Sequence, residues 1–327
     1  MPLHFGRICP PVRAAVVLDA SHKNWILEAI PLHASRAINE DVKLIWKYSS
    51  RREMLIPRVF ASLFRRKSYP ITLYMNHKLF LKYGSSPEKS GHNHLWVTHF
   101  EDNENFTTDE IEKLKLVNRF IVHNHLVKTK IHSFGIPVGK IFVGVGGVDR
   151  ELFFPSENPP TDDYILIVGD CKPRKRPELV EEIIASSPEL NFVIHGKNWE
   201  SMIFTSRPVP VNLKLLPFKL GDAPELMRNA SALLSLSELE GGPFPVIEAL
   251  VSGTPVIATE TGIAPDILTT QNGYLLSKNP EIEEIRSAIT YCMELKKSKY
   301  SSDLLAGKYE WSELGHLLFD QNIEMGN

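Results

Sequence analysis

Residues 235–262, SLSELEGGPFPVIEALVSGTPVIATETG, bring two carboxylates, a glycine pair and a helix start into one short stretch. Glu240 closes a strand signal, Gly241, Gly242 and Pro243 make a turn, and a helical run opens at Phe244 and carries Glu248. The first amides of a helix lack partners within it and lie at the positive end of its dipole, so the amides after Pro243 suit phosphate or sugar oxygens. Gly241 and Gly242 let the backbone approach a ligand closely. Glu240 can accept hydrogen bonds from neighbouring hydroxyls of a sugar, and Glu248 can meet the two hydroxyls of a ribose. The same two residues also read as a helix cap and a solvated surface carboxylate.

Other places hold groups of related chemistry. The basic run Lys172 to Arg176, KPRKR, follows a strand signal and precedes a helix, where Lys172, Arg174 and Lys175 can neutralise an anion; a solvated basic loop has the same composition. His99 ends the strand in HLWVTHF, where an imidazole can reach into a cleft or sit in a satisfied network. His123 and His125 follow the next strand and read as structural. Glu101 to Glu104 lacks supporting His or spaced carboxylates and reads as a loop, not a metal site.

These groups need a scaffold, and the chain supplies strand and helix signals in alternation. Aliphatic, β-branched runs occur at Ala14–Leu18, Val42–Trp46, Ile71–Met75, Leu95–Thr98, Phe120–Val122 and Ile141–Val145, with helical patterns between most of them. The segment DRELFFPSENPPTDD, from Asp149 to Asp163, is rich in Pro and acid and reads as a linker. The pattern then restarts, with strands at Tyr164–Val168, Asn191–Ile194, Leu213–Leu216, Ala232–Leu236 and Pro255–Ala258 and helices opening near Pro177, Pro224 and Phe244. Strands buried on both faces and separated by helices imply parallel sheets with right-handed crossovers. The expected fold is therefore α/β: two Rossmann-like, doubly wound domains facing across a cleft, residues 1–150 and 151–327. Ligands of such sheets bind beyond the carboxyl ends of the strands.

Composition bounds the rest. The chain has 327 residues, 43% hydrophobic and 23% charged, with no apolar run long enough to span a membrane. Three scattered cysteines exclude a disulfide framework and a CxxC metal clip, which fits a cytoplasmic location. The net charge of −2 hides an asymmetry. Residues 1–149 carry 21 Lys and Arg against 13 Asp and Glu, whereas residues 150–327 carry 16 against 26. Residues 43–67 alone hold eight Lys or Arg and one Glu, with Leu55, Ile56, Val59, Phe60, Leu63 and Phe64 at helical spacing. That pattern matches a helix lying on the inner face of an anionic membrane, and equally an amphipathic helix packed on its own sheet. No zinc spacing, helix-turn-helix or RNA-binding pattern accompanies the charge, so nucleic acid is not an expected partner.

The string from Glu240 to Thr259 resembles the signature of glycosyltransferase family 4: two Glu separated by seven positions, then EALVSGTPVIAT, without a gap. GVDRELFFP at Gly147 to Pro155 and YILIVGDCKPRKRPELVEEII from Tyr164 extend the likeness, which covers roughly residues 94–320. The resemblance implies a GT-B fold with the nucleotide sugar held by the second domain, the acceptor by the first, and a final helix packing back on the first. It implies a retaining transfer of a hexose from a nucleoside diphosphate sugar to a hydroxyl acceptor, a lipid-linked or polysaccharide intermediate, with neither metal nor further cofactor. A phosphorylase, a sugar-nucleotide epimerase and a non-catalytic binding protein are the alternatives. Carried over residue by residue, the family roles place Glu240 on the donor hexose, Glu248 on the ribose, Lys175 on the diphosphate and His99 near the reacting sugar. Two departures stand out. Asp170 occupies the position after the strand-end Gly where the family has Arg, leaving Arg174 or Lys172 to supply the missing charge. The glycine-rich turn after the first strand is absent, and Ser21 to Asn24 are left to line the acceptor side.

Overall fold

Aliphatic runs without a polar face bury on both sides, and in this chain they do so as parallel strands flanked by helices. The structure, a computed structural model, describes residues 13–20, 26–48, 69–87, 91–100, 105–156, 163–206, 208–242, 244–298 and 308–321. Residues 21–25, 49–68, 101–104 and Pro243 lie outside that set, so the expectations for Ser21 to Asn24, for the apolar stripe from Leu55 to Phe64 and for Pro243 are not described.

The first sheet comprises β1 (Ala14–Asp19), β2 (Val42–Lys47), β3 (Ile71–Tyr74), β4 (His92–Val97), β5 (Arg119–Val122) and β6 (Ile141–Val143) in the order β2-β1-β3-β4-β5-β6. All its pairings are parallel. Helices α1 (Ile26–Ala37), α2 (His77–Tyr83), α3 (Thr108–Leu114) and α4 (His125–Ser133) make the crossovers. Local chemistry sets their starts: Asn76 and Asn124 accept from the third amide of α2 and α4, and Thr107 with Glu110 forms a capping box on α3.

The second sheet repeats the scheme. Strands β7 (Ile165–Val168), β8 (Phe192–His195), β9 (Leu213–Leu216), β10 (Ala232–Ser235), β11 (Val256–Thr259) and β12 (Gly273–Leu276) run in the order β12-β11-β10-β7-β8-β9, again all parallel. Its helices are α5 (Pro177–Ser186), α6 (Ala223–Asn229), α7 (Phe244–Val251), α8 (Ala264–Ile267) and α9 (Ile282–Lys297). Every strand expected from the sequence is present, and β12, GYLL with a leading Gly, is an addition. The chain winds outward from β7 to β9, then returns to β10 and winds the other way. The strand order therefore reverses between β7 and β10, the place beyond whose carboxyl ends open α/β sheets bind ligands.

The final helix, α10 (Trp311–Phe319), leaves the second sheet and completes the core of the first. Leu314, Leu318 and Phe319 pack with Val16, Ile30, Ala34, Leu73 and Trp96. Gly315 lets α10 approach α1 closely, since a Cβ there would lie 2.4 Å from the Ala34 carbonyl oxygen. Polar groups of the first sheet hold the far end. Arg119 Nη1 donates to the carbonyls of Leu317 at 2.9 Å and Asp320 at 2.6 Å, and His94 Nδ1 donates to that of Leu318 at 2.7 Å. Burial drives His94 down to about 3, so the ring is neutral. Where the chain crosses between the sheets, its two passages are joined: Val148 N donates to Tyr309 O at 2.9 Å, and Arg150 Nε meets Glu310 Oε1 at 2.8 Å.

Replacing Arg119 with Met leaves two carbonyls without their buried donor and is expected to cost about 1–3 kcal/mol of stability. A denaturant-unfolding midpoint unchanged from wild type would show that α10 is held by apolar packing alone.

Candidate functional site

Beyond β7 the chain turns at Gly169 and Asp170, passes through a 3-10 turn at Pro173–Lys175, and enters α5 through Arg176 in the left-handed conformation, with φ of 51°. Beyond β10 it runs through Ser237 and Glu240 to the glycine pair and α7. The two loops are bound together. Glu238 N donates to Arg174 O at 2.8 Å, Arg174 Nη1 to Leu239 O at 2.7 Å, and Arg176 Nε meets Glu238 Oε1 at 3.2 Å.

Glu240 is the centre of this contact. Its Oε1 meets Arg174 Nη1 at 2.6 Å and Lys175 Nζ at 2.6 Å, and accepts from Ser237 Oγ at 2.9 Å. Burial alone would raise its pKa, yet Lys175 and Arg174 together hold the carboxylate below its ordinary value. Glu240 is thus neither a helix cap nor a solvated residue. Of the three basic candidates, Arg174 and Lys175 converge here, while Lys172 is exposed on the loop's outer side. Asp170 turns toward the strand beside it, where its Oδ1 accepts from Lys197 N at 3.1 Å.

Glu248, one turn into α7, lies in the opposite environment. Its carboxylate has no hydrogen-bond or ion-pair partner among the described residues, and burial pushes its pKa up to about 7. A carboxylate held without a partner near a helix start is poised to accept from a ligand's hydroxyls.

The glycine pair has a further cause that the sequence alone does not reveal. A Cβ on Gly241 would lie 2.4 Å from Thr98 O, and one on Gly242 would lie 2.4 Å from His123 Nδ1. The first sheet's strand ends press directly on this turn, so both positions must lack a side chain whether or not a ligand is bound. Asn124 Nδ2 donates to Gly241 O at 3.1 Å, and the backbone N of His125 donates to Asp266 Oδ2 at 2.8 Å. His99 follows Thr98 and so stands at the rim of this contact. His123 is buried, edge-on to Trp96, with its pKa lowered to about 3 by burial and then by His99. The ring of Phe244 does not face the crevice: it lies against Gly146 and stacks on Trp311 with centroids 6.1 Å apart, so only the backbone of this residue remains available to a ligand. Thr98, Ser237, Asn124 and Asp266 belong to the site region and carry no motif by which a sequence reading could find them. A concavity of about 740 Å³ lies elsewhere, between β8, β9 and α6, and none of these residues lines it.

Among the described residues no helix is long and apolar enough to cross a membrane. Residues 148–304 match the family described as Glycosyl transferases group 1. The structure is similar to the apo form of the lipopolysaccharide outer core galactosyltransferase WaaB, 17% identical over 94% of this chain and 99% of that one, with a TM-score of 0.67. It is also similar to HepE of Anabaena in complex with UDP-glucose, 15% identical over 94% and 95% of the two chains with a TM-score of 0.69. Sucrose-phosphate synthase from Thermosynechococcus elongatus is 13% identical over 92% and 96%, with a TM-score of 0.70. No curated protein matches the chain by sequence. By fold the chain is thus a GT-B protein of two Rossmann-like domains, and its residues 148–304 match the glycosyl transferases group 1 family.

Proposed function

We propose that the protein is a retaining, metal-independent glycosyltransferase of family 4 type, moving a hexose from a nucleoside diphosphate sugar to a hydroxyl of a lipid-linked or polysaccharide acceptor. The observation that carries this reading is the convergence of Arg174, Lys175 and Glu240 beyond β7 and β10, beside the start of α7. Arg174 and Lys175 bind the diphosphate together with the first amides of α7, Glu240 orients the hexose, Glu248 holds the ribose, and His99 approaches the sugar from the first domain. HepE, similar in fold, is described in complex with UDP-glucose, which supports a nucleotide sugar as donor. Asp170, bonded to the Lys197 amide, leaves the diphosphate position to the two cations.

In this scheme the bond from the anomeric carbon to the phosphate oxygen breaks while the acceptor oxygen bonds to the same face. The acceptor's proton passes to a phosphate oxygen of the leaving group. Lys175, Arg174 and the helix-start amides stabilise the negative charge that develops on the diphosphate, and closure of the domains excludes water. Domain roles follow the sheets, with residues 1–150 facing the acceptor and 151–327 the donor. The cationic balance of the first 149 residues, with Lys43 and Lys47 on the edge strand β2, supports an anionic acceptor surface on the inner face of a membrane.

A panel of nucleoside diphosphate sugars, scored by thermal shift and by release of nucleoside diphosphate, tests the donor. With the best donor, Lys175→Ala is expected to lower turnover by about 10²–10³-fold, and Asp170→Arg to change it little. Full turnover in Lys175→Ala would move the leaving-group site elsewhere.

Glu248 sets a pH dependence. The ribose needs the charged carboxylate, so nucleotide affinity is expected to fall as pH drops below about 7, a slope absent in Glu248→Gln. The folded state holds a proton on Glu248 between its unfolded value and about 7, so folding stability declines as pH rises through that window. At about pH 8, Glu248→Gln is expected to be more stable than wild type by on the order of 1–3 kcal/mol while binding nucleotide less tightly. Calorimetry across pH checks both signs.

Sedimentation with anionic and neutral vesicles checks the surface role: binding is expected to anionic vesicles only and to fade with salt, since charge attraction decays over about 10 Å at 0.1 M.

A further inference from the structure

Three donors meet one oxygen of Glu240. Arg174 Nη1 and Lys175 Nζ lie 2.6 Å from Oε1 and Ser237 Oγ lies 2.9 Å from it, leaving Oε2 without a partner among the described residues. Both cations that a diphosphate would take are therefore already paired with the carboxylate assigned to the sugar. Arg176 does not relieve them, being engaged by Glu238 Oε1 at 3.2 Å and Asn279 Oδ1 at 2.8 Å. Glu240 is also nearly enclosed, with a side-chain exposure of 9%.

We propose that Glu240 is an internal counter-ion that competes with the diphosphate for its cations, and that it selects the intact donor over the spent nucleoside diphosphate. The proposal rests on the reading of Arg174 and Lys175 as the diphosphate site. A diphosphate carries more charge than a carboxylate and draws both cations away from Glu240. A buried carboxylate stripped of its cations is costly unless other donors replace them. The hydroxyls of a bound hexose supply those donors; a nucleoside diphosphate without its sugar supplies none. Once the sugar has been transferred, Glu240 competes for Arg174 and Lys175 again and weakens the product's hold. The residue that positions the sugar thereby also drives release of the product.

This predicts a sign opposite to that of an ordinary binding residue. Inorganic pyrophosphate, titrated calorimetrically without metal into the full-length protein, carries the diphosphate charge without base or sugar. Glu240→Gln is expected to bind pyrophosphate about tenfold more tightly than wild type, the scale of one charge-assisted hydrogen bond, while losing turnover with the best donor of the panel. In the double variant Glu240→Gln with Lys175→Ala, that gain should disappear. Pyrophosphate binding by Glu240→Gln no tighter than wild type overturns the exchange. If Lys175→Ala has lost turnover at the same time, the diphosphate reading survives that failure; if Lys175→Ala retains both turnover and pyrophosphate affinity, the diphosphate reading fails with it. Should Glu240→Gln not fold, as judged by its thermal transition, Ser237→Ala removes the hydroxyl that steadies Oε1. That hydroxyl still donates to Oε1 when the cations are drawn away, so its loss is expected to weaken pyrophosphate binding by a smaller factor, and unchanged or tighter binding overturns the proposal.

Discussion

Parallel pairing is the constraint on which the molecule depends. When every strand of a sheet points the same way, the loops that leave the carboxyl ends all gather on one edge, and here two such edges meet. The meeting is a direct contact: Thr98 and His123 press on the Gly241-Gly242 turn, and Asn124 and His125 bond to Gly241 and Asp266. No side chain can be added at the turn without parting the two sheets. The turn that feeds α7 is therefore also the seat of the first domain, and a change in one is felt by the other.

Around that seat, two carboxylates eight positions apart have been given opposite electrostatic settings by their surroundings. Glu240 has two cations and a hydroxyl on one oxygen, and the cations hold its carboxyl below the ordinary carboxylate value. Glu248 has burial without compensation and titrates near neutrality. Burial is common to both, so the difference comes from the loop after β7, which delivers Arg174 and Lys175 to one and not to the other. A buried carboxyl left uncompensated costs stability once it ionises.

Most strands were legible because each is a short apolar run buried on both faces, and the alternation with helices implied parallel sheets. β12 was not legible because its four residues begin with Gly and only the first and last of them are buried, at the sheet's edge. The pair of glutamates and Lys175 were legible from spacing and from their place between a strand and a helix. Other features depend on partners distant in sequence. Phe244 reads as a ligand neighbour until Gly146 and Trp311 are seen to take its ring. Asp170 reads as a carboxylate facing phosphate until the Lys197 amide turns it aside. The glycine pair reads as room for a ligand, and only the folded chain shows that Thr98 and His123 fill part of that room.

The closing helix α10 inverts the usual order of assembly. Chains emerge from the ribosome amino terminus first, and domains generally fold as units in that order. Here the first sheet's core lacks Leu314, Leu318 and Phe319 until residues 311–319 are made, and His94 and Arg119 lack the carbonyls they bind. The second sheet, with every strand and flanking helix complete by Lys297, can close while the first still exposes an apolar groove along α1. During synthesis the sheet made first is the one completed last, and a deletion of residues 311–319 would strike the core of the sheet farthest from them in sequence.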